Sequence, residues 1–247
     1  MNEILFVIPA RSNSSRLKNK NLRLIGGNSL IVKKIKSCVS TKLGKVIVST
    51  NSKKIANIAK KNGALVPYLR PKNYSKSDST MMSCVLHLIK FLQNTGYKLP
   101  RYIGVLPPTY PFVSPKLIIK AYNKLKKNKK LMSICSFTSS FDHPFLYVRH
   151  KKKLEFNVIK YNGKTLSKVE RTQDFPKSSV VSGAIRISKT SYFLKFTKNF
   201  TPKIKNHVID FKSCLGIKIS QREAFDINTY HNLKLAVILN KNKDLKL

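Results

Sequence analysis

The most constraining feature of this sequence is a regular alternation of short apolar runs with helical patterns over residues 4–136. Apolar positions in the segments between the runs recur at helical spacing, as at Leu30, Ile31, Ile35 and Cys38. Such alternation predicts parallel strands joined by helices. We therefore expect the α/β class, with a mostly parallel, Rossmann-like sheet covered by helices on both faces. In such sheets ligands bind beyond the carboxyl ends of the strands.

The pattern also predicts the individual elements and the domain organisation. Strands are predicted at residues 4–8, 45–49, 64–69, 102–106 and 132–136, and helices at residues 79–94 and 229–240. Ser52 and Ser114 are predicted N-caps of two more helices. Past residue 140 the helical rhythm fails, and residues 147–150, 154–159 and 180–188 are predicted strands. We expect one domain over residues 1–247, with a β-rich excursion at about 140–190 that serves as a lid or dimer contact.

A basic loop follows the first predicted strand. Arg11 and Arg16 lie there among small polar residues, in the run Pro-Ala-Arg-Ser-Asn-Ser-Ser-Arg, and Lys20 follows four residues later. Small residues let backbone N–H groups turn toward phosphate oxygens, and Arg and Lys supply charge and forked donors to the same oxygens. The loop therefore predicts a triphosphate cradle. The alternative is a solvated basic turn, because the chain contains 49 Lys and Arg among 247 residues.

Composition narrows the class of protein further. The formal net charge of +39 could favour nucleic acid or an anionic membrane. The lysines are spread over every predicted helix, however, and arginines do not alternate with aromatic residues as in a stacking platform. We expect no specific nucleic-acid partner and no membrane partner. The four cysteines form no C-x-x-C pair, and the apolar N-terminal run is too short for a signal peptide, so a reducing cytoplasm is the expected compartment.

Several segments resemble one enzyme family. Residues 8–21 resemble the I-P-A-R-x-x-S-x-R-x-x-x-K-N signature of cytidylyltransferases that activate acidic sugars, the CMP-sialic acid and CMP-Kdo synthetases. Six further segments are similar to family motifs in the right order: V-S-T-N-S (48–52), L-R-P (69–71), L-P-P-T-Y-P (106–111), R-T-Q-D-F-P (171–176), S-G-A-I (182–185) and F-D-I-N-T (225–229). The R-T-Q-D form is similar to the pseudaminic acid branch.

The resemblance implies a reaction and a set of site residues. It implies transfer of CMP from CTP to the anomeric hydroxyl of an acidic 2-keto-3-deoxy sugar (a nonulosonic acid), with Mg²⁺ as cofactor and a homodimer as the assembly. The implied nucleotide-binding residues are Ala10, Arg11, Ser14, Arg16, Lys20, Asn21, Thr50 and Arg70. Arg11, Lys20 and Asp226 are implied to be catalytic, and Asp226 and Asn228 to hold the metal. The implied sugar-site residues are Thr109, Gln173, Asp174 and Ser182.

Departures from the family pattern keep alternatives open. Asn51 and Asn228 stand where the family usually has Asp, and Pro107 stands in place of a Gln. The enzyme could use another acidic sugar such as Kdo, or the chain could be a catalytically weakened nucleotide-binding homologue. Asp174 and Asp226 could also be turn or helix-cap residues.

Overall fold

The computed structural model describes residues 3–12, 14–140, 143–150, 156–158, 171–198, 200–203, 210–242 and 244, with only the backbone for 145, 148–150, 156–158 and 172. The strands are β1 (Ile4–Pro9), β2 (Leu24–Ile25), β3 (Asn28–Ser29), β4 (Gly44–Ser49), β5 (Tyr102–Val105), β6 (Ser133–Ser139), β7 (Val148–His150), β8 (Phe156–Val158), β9 (Ser179–Lys189) and β10 (Cys214–Lys218). The α-helices are α1 (Leu30–Val39), α2 (Lys53–Lys61), α3 (Met81–Asn94), α4 (Pro115–Lys127), α5 (Thr190–Leu194) and α6 (Tyr230–Lys241).

A six-stranded sheet in the order β10-β6-β9-β5-β1-β4 forms the centre of the molecule. Strand β9 runs antiparallel to both of its neighbours, and the other neighbouring pairs are parallel. Alternate residues of β1 enter two separate cores: Phe6 and Ile8 pack in one, Leu5 and Val7 in the other. Helices α1, α2 and α4 contribute to the first core and α3 and α5 to the second, so the predicted mostly parallel sheet with two covered faces is confirmed.

The predicted helix starts are confirmed by their caps. Ser52 Oγ accepts from the backbone N–H of Ile55 at the start of α2. Ser114 Oγ accepts from the N–H of Leu117, and Pro115 is the first residue of α4. These bonds satisfy backbone donors that a helix start leaves without a partner. None of the helices that the structure describes combines the length and the apolar content needed to cross a bilayer.

The strand predicted at residues 64–69 is wrong. Leu65 and Leu69 make only single bridges to Ile47 and Thr50. Pro67 lies between the two bridges and has no N–H to donate, so the segment cannot continue a ladder beside β4. The segment instead delivers the backbone N–H of Arg70 to the carbonyl oxygen of Thr50, at 2.7 Å.

The region past residue 140 divides into two parts. Strands β7 and β8 lie within the predicted strands 147–150 and 154–159 and form a separate two-stranded sheet, and residues 154, 155 and 159 of the prediction lie outside the described residues. Strand β9, which we had grouped with the excursion, instead lies inside the central sheet between β5 and β6. Its core positions, among them Ile185 and Ile187, are fully buried, which explains its place there. The lid or dimer role of the excursion stays a prediction.

Candidate active site

A cavity of about 390 Å³ opens at the carboxyl end of the central sheet. The loop after β1, the turn after β5 and the segment before α6 all contribute to its walls, which is where strand ends of an α/β sheet bind ligands. The site residues predicted from the sequence that line this cavity are Arg11, Ser14, Arg16, Lys20, Asn21, Arg70, Thr109, Asp226 and Asn228. The structure therefore brings together most of the residues that the sequence assigned to nucleotide, sugar and metal.

Two asparagines hold the loop after β1 in shape. Asn21 Nδ2 donates to the carbonyl oxygen of Arg11 at 2.9 Å. Asn51, in the loop after β4, accepts from the N–H of Ser12 at 2.9 Å and donates to Ser12 Oγ at 3.0 Å. An aspartate at position 51 could accept the first bond but could not donate the second. Asn51 therefore fixes the loop rather than contacting a ligand.

The Arg11 side chain reaches across the cavity mouth. Its Nη1 donates to the carbonyl oxygen of Lys76 at 2.8 Å and lies 3.4 Å from that of Ser77. These neutral partners leave the positive charge of Arg11 uncompensated. A phosphate that enters the cavity can therefore compete for the guanidinium, since charge-assisted bonds are about twice as strong as neutral ones.

Asn228 links two cations to the carboxylate in the cavity wall. Its Oδ1 accepts from Arg16 Nη2 and from Lys20 Nζ, each at 3.1 Å. Its Nδ2 donates to Asp226 Oδ2 at 2.7 Å. The amide is held by bonds on both ends, which orders Arg16 and Lys20 next to Asp226 without a second carboxylate.

The surroundings of Lys20 have opposing effects on its pKa. Burial lowers the pKa of Lys20, the charge of Asp226 raises it, and Arg16 and Arg11 lower it. The loop thus gathers three cations near one carboxylate, which favours a polyanionic ligand that restores neutrality.

The residues at Asp226 fit a hard cation in part. Asp226 Oδ1 is buried and has no hydrogen-bond partner at ordinary distance among the described residues, although the Tyr110 hydroxyl interacts with the same carboxylate, and such an oxygen can accept a ligand. Asn228 Oδ1 is taken up by Arg16 and Lys20, so the amide would have to turn to give Mg²⁺ an oxygen. In the part of the chain that the structure describes, no group of three or more His, Cys, Asp or Glu could hold a metal. Magnesium would therefore depend on Asp226 and on phosphate oxygens.

Arg70 adds a fourth cation to the cavity lining, from the segment that follows residues 64–69. Its backbone is fixed by the bond to Thr50, and its side chain is only 6% exposed. The Nε and Nη2 atoms are buried and have no hydrogen-bond partner within the described residues. An unpaired buried guanidinium is costly, and this one lines the cavity. Arg70 is therefore poised for an anion or another strong acceptor.

The turn after β5 supplies the wall next to Asp226. The N–H of Ile227 donates to the carbonyl oxygen of Thr109 at 2.9 Å, which fixes the turn against the Asp226 segment. The Tyr110 hydroxyl accepts from the N–H of Gly183 at 3.2 Å. Burial, together with the charge of Asp226, raises the pKa of Tyr110 to about 12. Tyr110 therefore stays protonated and can donate to a ligand.

Five predicted site residues do not line the cavity. Ala10 and Thr50 are completely buried and act through their backbones, which bond to Ser49 and Arg70. Ser182 is also buried, and its Oγ accepts from the N–H of Ala184 at 3.3 Å. These three support the walls that their neighbours form.

Gln173 and Asp174 lie apart from the cavity on the surface. Asp174 forms an exposed ion pair with Arg171, with 2.8 Å between Arg171 Nε and Asp174 Oδ2. The pair closes a single 3-10 turn, Thr172–Asp174, so the carboxylate is satisfied locally. Their role at a sugar site or a dimer contact stays a prediction.

Tyr74, Cys84 and Tyr110 line the cavity but were missed from the sequence. Tyr74 follows the L-R-P segment in a short 3-10 helix, Lys72–Tyr74, and its ring centroid lies 4.2 Å from that of His87. Tyr110 stands inside the L-P-P-T-Y-P segment, which could have indicated it. Tyr74 and Cys84 could be found only from the way α3 packs, because no motif includes them.

Comparison with known proteins agrees with this geometry. A model of the family described as Cytidylyltransferase matches residues 5–245. The pseudaminic acid cytidylyltransferase of Campylobacter jejuni is 25% identical over 240 residues, 96% of each chain. The CMP-N,N'-diacetyllegionaminic acid synthase of Legionella pneumophila is 38% identical over 116 residues, which cover 47% of this chain and 50% of that protein.

The fold also has close structural neighbours. The structure of CMP:2-keto-3-deoxy-manno-octonic acid synthetase complexed with CTP superposes with a TM-score of 0.70 at 13% sequence identity. The superposition covers 98% of this chain and 99% of that one. At this identity the likeness concerns the fold alone.

Proposed function

Because the chain belongs to the cytidylyltransferase family, we propose that it transfers CMP from CTP to the anomeric hydroxyl of an acidic 2-keto-3-deoxy sugar. The observation that carries the proposal is a cavity in which Arg11, Arg16, Lys20 and Arg70 surround a single carboxylate, Asp226, among the described lining residues. This charge balance suits a triphosphate and an acidic substrate together.

The loop after β1 is assigned to the triphosphate. Arg16 and Lys20 are held beside each other by Asn228, and Arg11 faces them from the start of the loop. Forked guanidinium donors bind adjacent phosphate oxygens, and the ammonium of Lys20 adds a point charge. These cations need little rearrangement to bind phosphate, because their present partners are neutral amide and carbonyl oxygens.

The reaction is an in-line displacement at the α-phosphorus of CTP. The sugar hydroxyl oxygen forms the new P–O bond, the bond to the β-phosphate oxygen breaks, pyrophosphate leaves, and the hydroxyl proton is released. Charge builds on the departing pyrophosphate, and Arg11, Arg16 and Lys20 would stabilise it. Positioning and charge do most of the work in such transfers, so no covalent enzyme intermediate is required.

Magnesium is assigned to Asp226. When bound, the ion neutralises phosphate charge and aligns the reacting oxygens. The buried, unpartnered Oδ1 of Asp226 is the protein oxygen available for it in the described chain. Asn228 would contribute its carbonyl oxygen only after releasing Arg16 and Lys20 to the phosphates.

The acidic sugar is assigned to the wall formed by Thr109, Tyr110 and Gly183. Tyr110 offers a protonated hydroxyl, and Thr109 lies next to it in the turn. Relatives named for pseudaminic and legionaminic acids favour a nonulosonic acid as the substrate over Kdo.

Pyrophosphate release tests the proposal. Purified protein with CTP and Mg²⁺ is offered pseudaminic, legionaminic, sialic and Kdo acids at moderate salt, which suppresses polyanion binding to a chain of net charge +39. We expect release with one nonulosonic acid and none when CTP is replaced by other nucleotides. If no acid leads to pyrophosphate release while calorimetry still detects CTP binding, the result would favour the weakened nucleotide-binding homologue.

A pair of arginine variants shows whether the cavity is responsible. Arg11→Ala removes a lining cation and should weaken CTP binding about 10- to 100-fold, the value of one or two charge-assisted bonds. Arg101→Ala is the matched control, because Arg101 is exposed just before β5, at the amino end of the sheet. If the two variants bind CTP with equal affinity, the loop after β1 is not part of the nucleotide site.

The assembly and compartment belong to the same proposal. Two pairs of adjacent apolar residues in this region, Leu146 with Tyr147 and Val180 with Val181, are each about half exposed. A homodimer would cover such a surface. Light scattering during size-exclusion chromatography tests it, with Val181→Lys expected to shift the protein to monomer. We also propose the cytoplasm as the compartment, where CTP is made available to such enzymes.

A further inference from the structure

A pair of thiols lies in the central sheet away from the cavity lining. Cys135 of β6 and Cys214 of β10 have their Sγ atoms 3.5 Å apart. Cys214 pairs in register with Ser133, so Cys135, two residues further along β6, points to the same face of the sheet. Cys135 is buried, whereas Cys214 is partly exposed and can be reached from solvent.

A buried arginine accompanies the thiols. Arg186 of β9 is the register partner of Cys135. Its Nε and Nη2 are buried and have no hydrogen-bond partner among the described residues. The guanidinium lies over the Phe193 ring, 6.0 Å from its centroid, and a nearby negative group would stabilise it further. Among the described ionisable groups that interact with Arg186, the ones that can supply such a charge are Cys135, Cys214 and Tyr192.

Exposure favours Cys214 as the reacting thiol, because Cys214 is partly exposed and Cys135 is buried. Hydrogen bonding with the Cys135 thiol lowers the pKa of Cys214, and the charge of Arg186 acts in the same direction. The same bond raises the pKa of Cys135. A cation at Arg186 also disfavours a metal ion between the thiols, since like charges repel. Cys214 is therefore the thiol that we expect to react first as the thiolate, with Cys135 as the second thiol of the pair.

We propose that Cys214 and Cys135 form an oxidation-sensitive dithiol that reacts with hydroperoxides and closes to a reversible disulfide. The Cys214 thiolate attacks one oxygen of hydrogen peroxide, the O–O bond breaks, and sulfenic acid and hydroxide form. The Cys135 sulfur then attacks the oxidised sulfur, its proton joins the departing hydroxyl, and water leaves. The two sulfurs lose two electrons in total, and the peroxide gains them.

Closure requires movement of the two strands as well as of the sulfurs. Cys135 is a diagonal neighbour of Cys214, and diagonal neighbours in a sheet lie about 7–8 Å apart, beyond the Cα separation of most disulfides. A disulfide bond is about 2.0 Å long, so the sulfurs must approach by about 1.5 Å. Cys135 lies beside a β-bulge, because the register of β6 on β9 shifts between Cys135 and Ser136. Bulged strands can adjust more easily than a regular ladder.

Peptide mapping of the oxidised protein tests the proposal. The folded protein is treated with a small excess of hydrogen peroxide, its free thiols are alkylated, and it is digested without reductant. We expect a peptide pair that links Cys135 to Cys214 and separates on adding dithiothreitol. Cys38 and Cys84 are internal controls, because both are almost completely buried and burial raises the pKa of each. Absence of the linked pair, or equal oxidation of all four cysteines, would overturn the proposal.

Substitutions at these positions distinguish activation of the thiolate from a general effect on the structure. Cys214→Ser should remove the fast reaction with peroxide, and Cys38→Ser should leave it unchanged. Arg186→Met should slow oxidation about tenfold near pH 7 and have little effect near pH 9, where the thiol ionises without help. Arg186→Lys keeps the charge and should restore the rate near pH 7. A rate that falls equally at both pH values would contradict the role of Arg186.

Discussion

The two walls of the cavity are held in place by different kinds of hydrogen bond. The wall formed by the loop after β1 carries three cations, whose described partners are carbonyl and amide oxygens. The facing wall is built from backbone bonds, such as Ile227 to Thr109, and from the Tyr110 hydroxyl on the N–H of Gly183. The first wall is held weakly enough to yield to phosphate, and the second is held by bonds that a ligand does not replace.

This difference teaches where variation is tolerated. The cationic wall matches the family signature at every quoted position, whereas the facing wall contains Pro107 and Asn228 at places where the family differs. The triphosphate carries the same charge whichever acidic sugar is used, whereas the sugar itself differs from one enzyme of the family to another. The facing wall is therefore the place where this chain's specificity should reside.

Removing the carboxylate of the facing wall should have the largest effect. With Asp226→Asn, we expect turnover with CTP and Mg²⁺ to fall about 100- to 1,000-fold, because metal neutralisation of phosphate charge contributes several kcal/mol. CTP binding without Mg²⁺ should become tighter, since Lys20 loses a competing charge. Steady-state kinetics and calorimetry measure the two effects.

Asp78→Asn is the matched control for this change. Asp78 is an exposed carboxylate paired with Lys203 at 2.7 Å, and it does not line the cavity. Its loss should leave turnover unchanged. If Asp226→Asn lowers turnover no more than Asp78→Asn does, Asp226 has no role in turnover and merely lies close to the start of α6.

Arg70 lies outside the loop after β1 and tests the fourth cation of the cavity lining. Arg70→Met keeps the apolar stem and removes a guanidinium that has two unpartnered buried nitrogens. CTP affinity should fall about 10- to 100-fold, the value of charge-assisted bonds. The free energy of unfolding in urea should stay equal or rise, because an unpaired buried charge is lost. A clear drop in stability would show that Arg70 is structural.

Asn228 joins the two walls, and changing it should have a smaller effect. Asn228→Asp adds a carboxylate beside Asp226, so the Mg²⁺ concentration at half-maximal rate should fall about tenfold. Asn51→Asp is the matched control, because Asn51 bonds only to Ser12 in the described loop. Equal Mg²⁺ dependence in the two variants would show that Asn228 is adequate as it stands.

Much of the fold could be predicted from local pattern. Apolar alternation and N-caps such as Ser52 and Ser114 are properties of short segments, and each was confirmed. Two features could not be predicted in this way. The segment at 64–69 has strand-like composition but a proline in its middle, and β9 enters the sheet between β5 and β6 through long-range pairing. Strand order depends on such pairing, which local pattern does not encode.

The site divides in a similar way. Residues in one contiguous loop, such as Arg11 and Lys20, line one cavity as expected, because their spacing follows from the loop itself. Gln173 and Asp174 were grouped with the sugar site by motif alone, yet Asp174 pairs locally with Arg171. Tyr74 reaches the cavity only because its segment packs on α3, so no sequence spacing indicates it.

Tyr110 should give the smallest effect and the finest distinction between the walls. Tyr110→Phe removes the hydroxyl that accepts from Gly183, so the KM for the sugar should rise about threefold to tenfold, as for one neutral hydrogen bond, with CTP affinity unchanged. Because the pKa of Tyr110 is raised to about 12, the hydroxyl is protonated at every ordinary assay pH. The pH profile of turnover between pH 6 and 9 should therefore be the same in the variant, and a shifted profile would mean that Tyr110 exchanges a proton during the reaction.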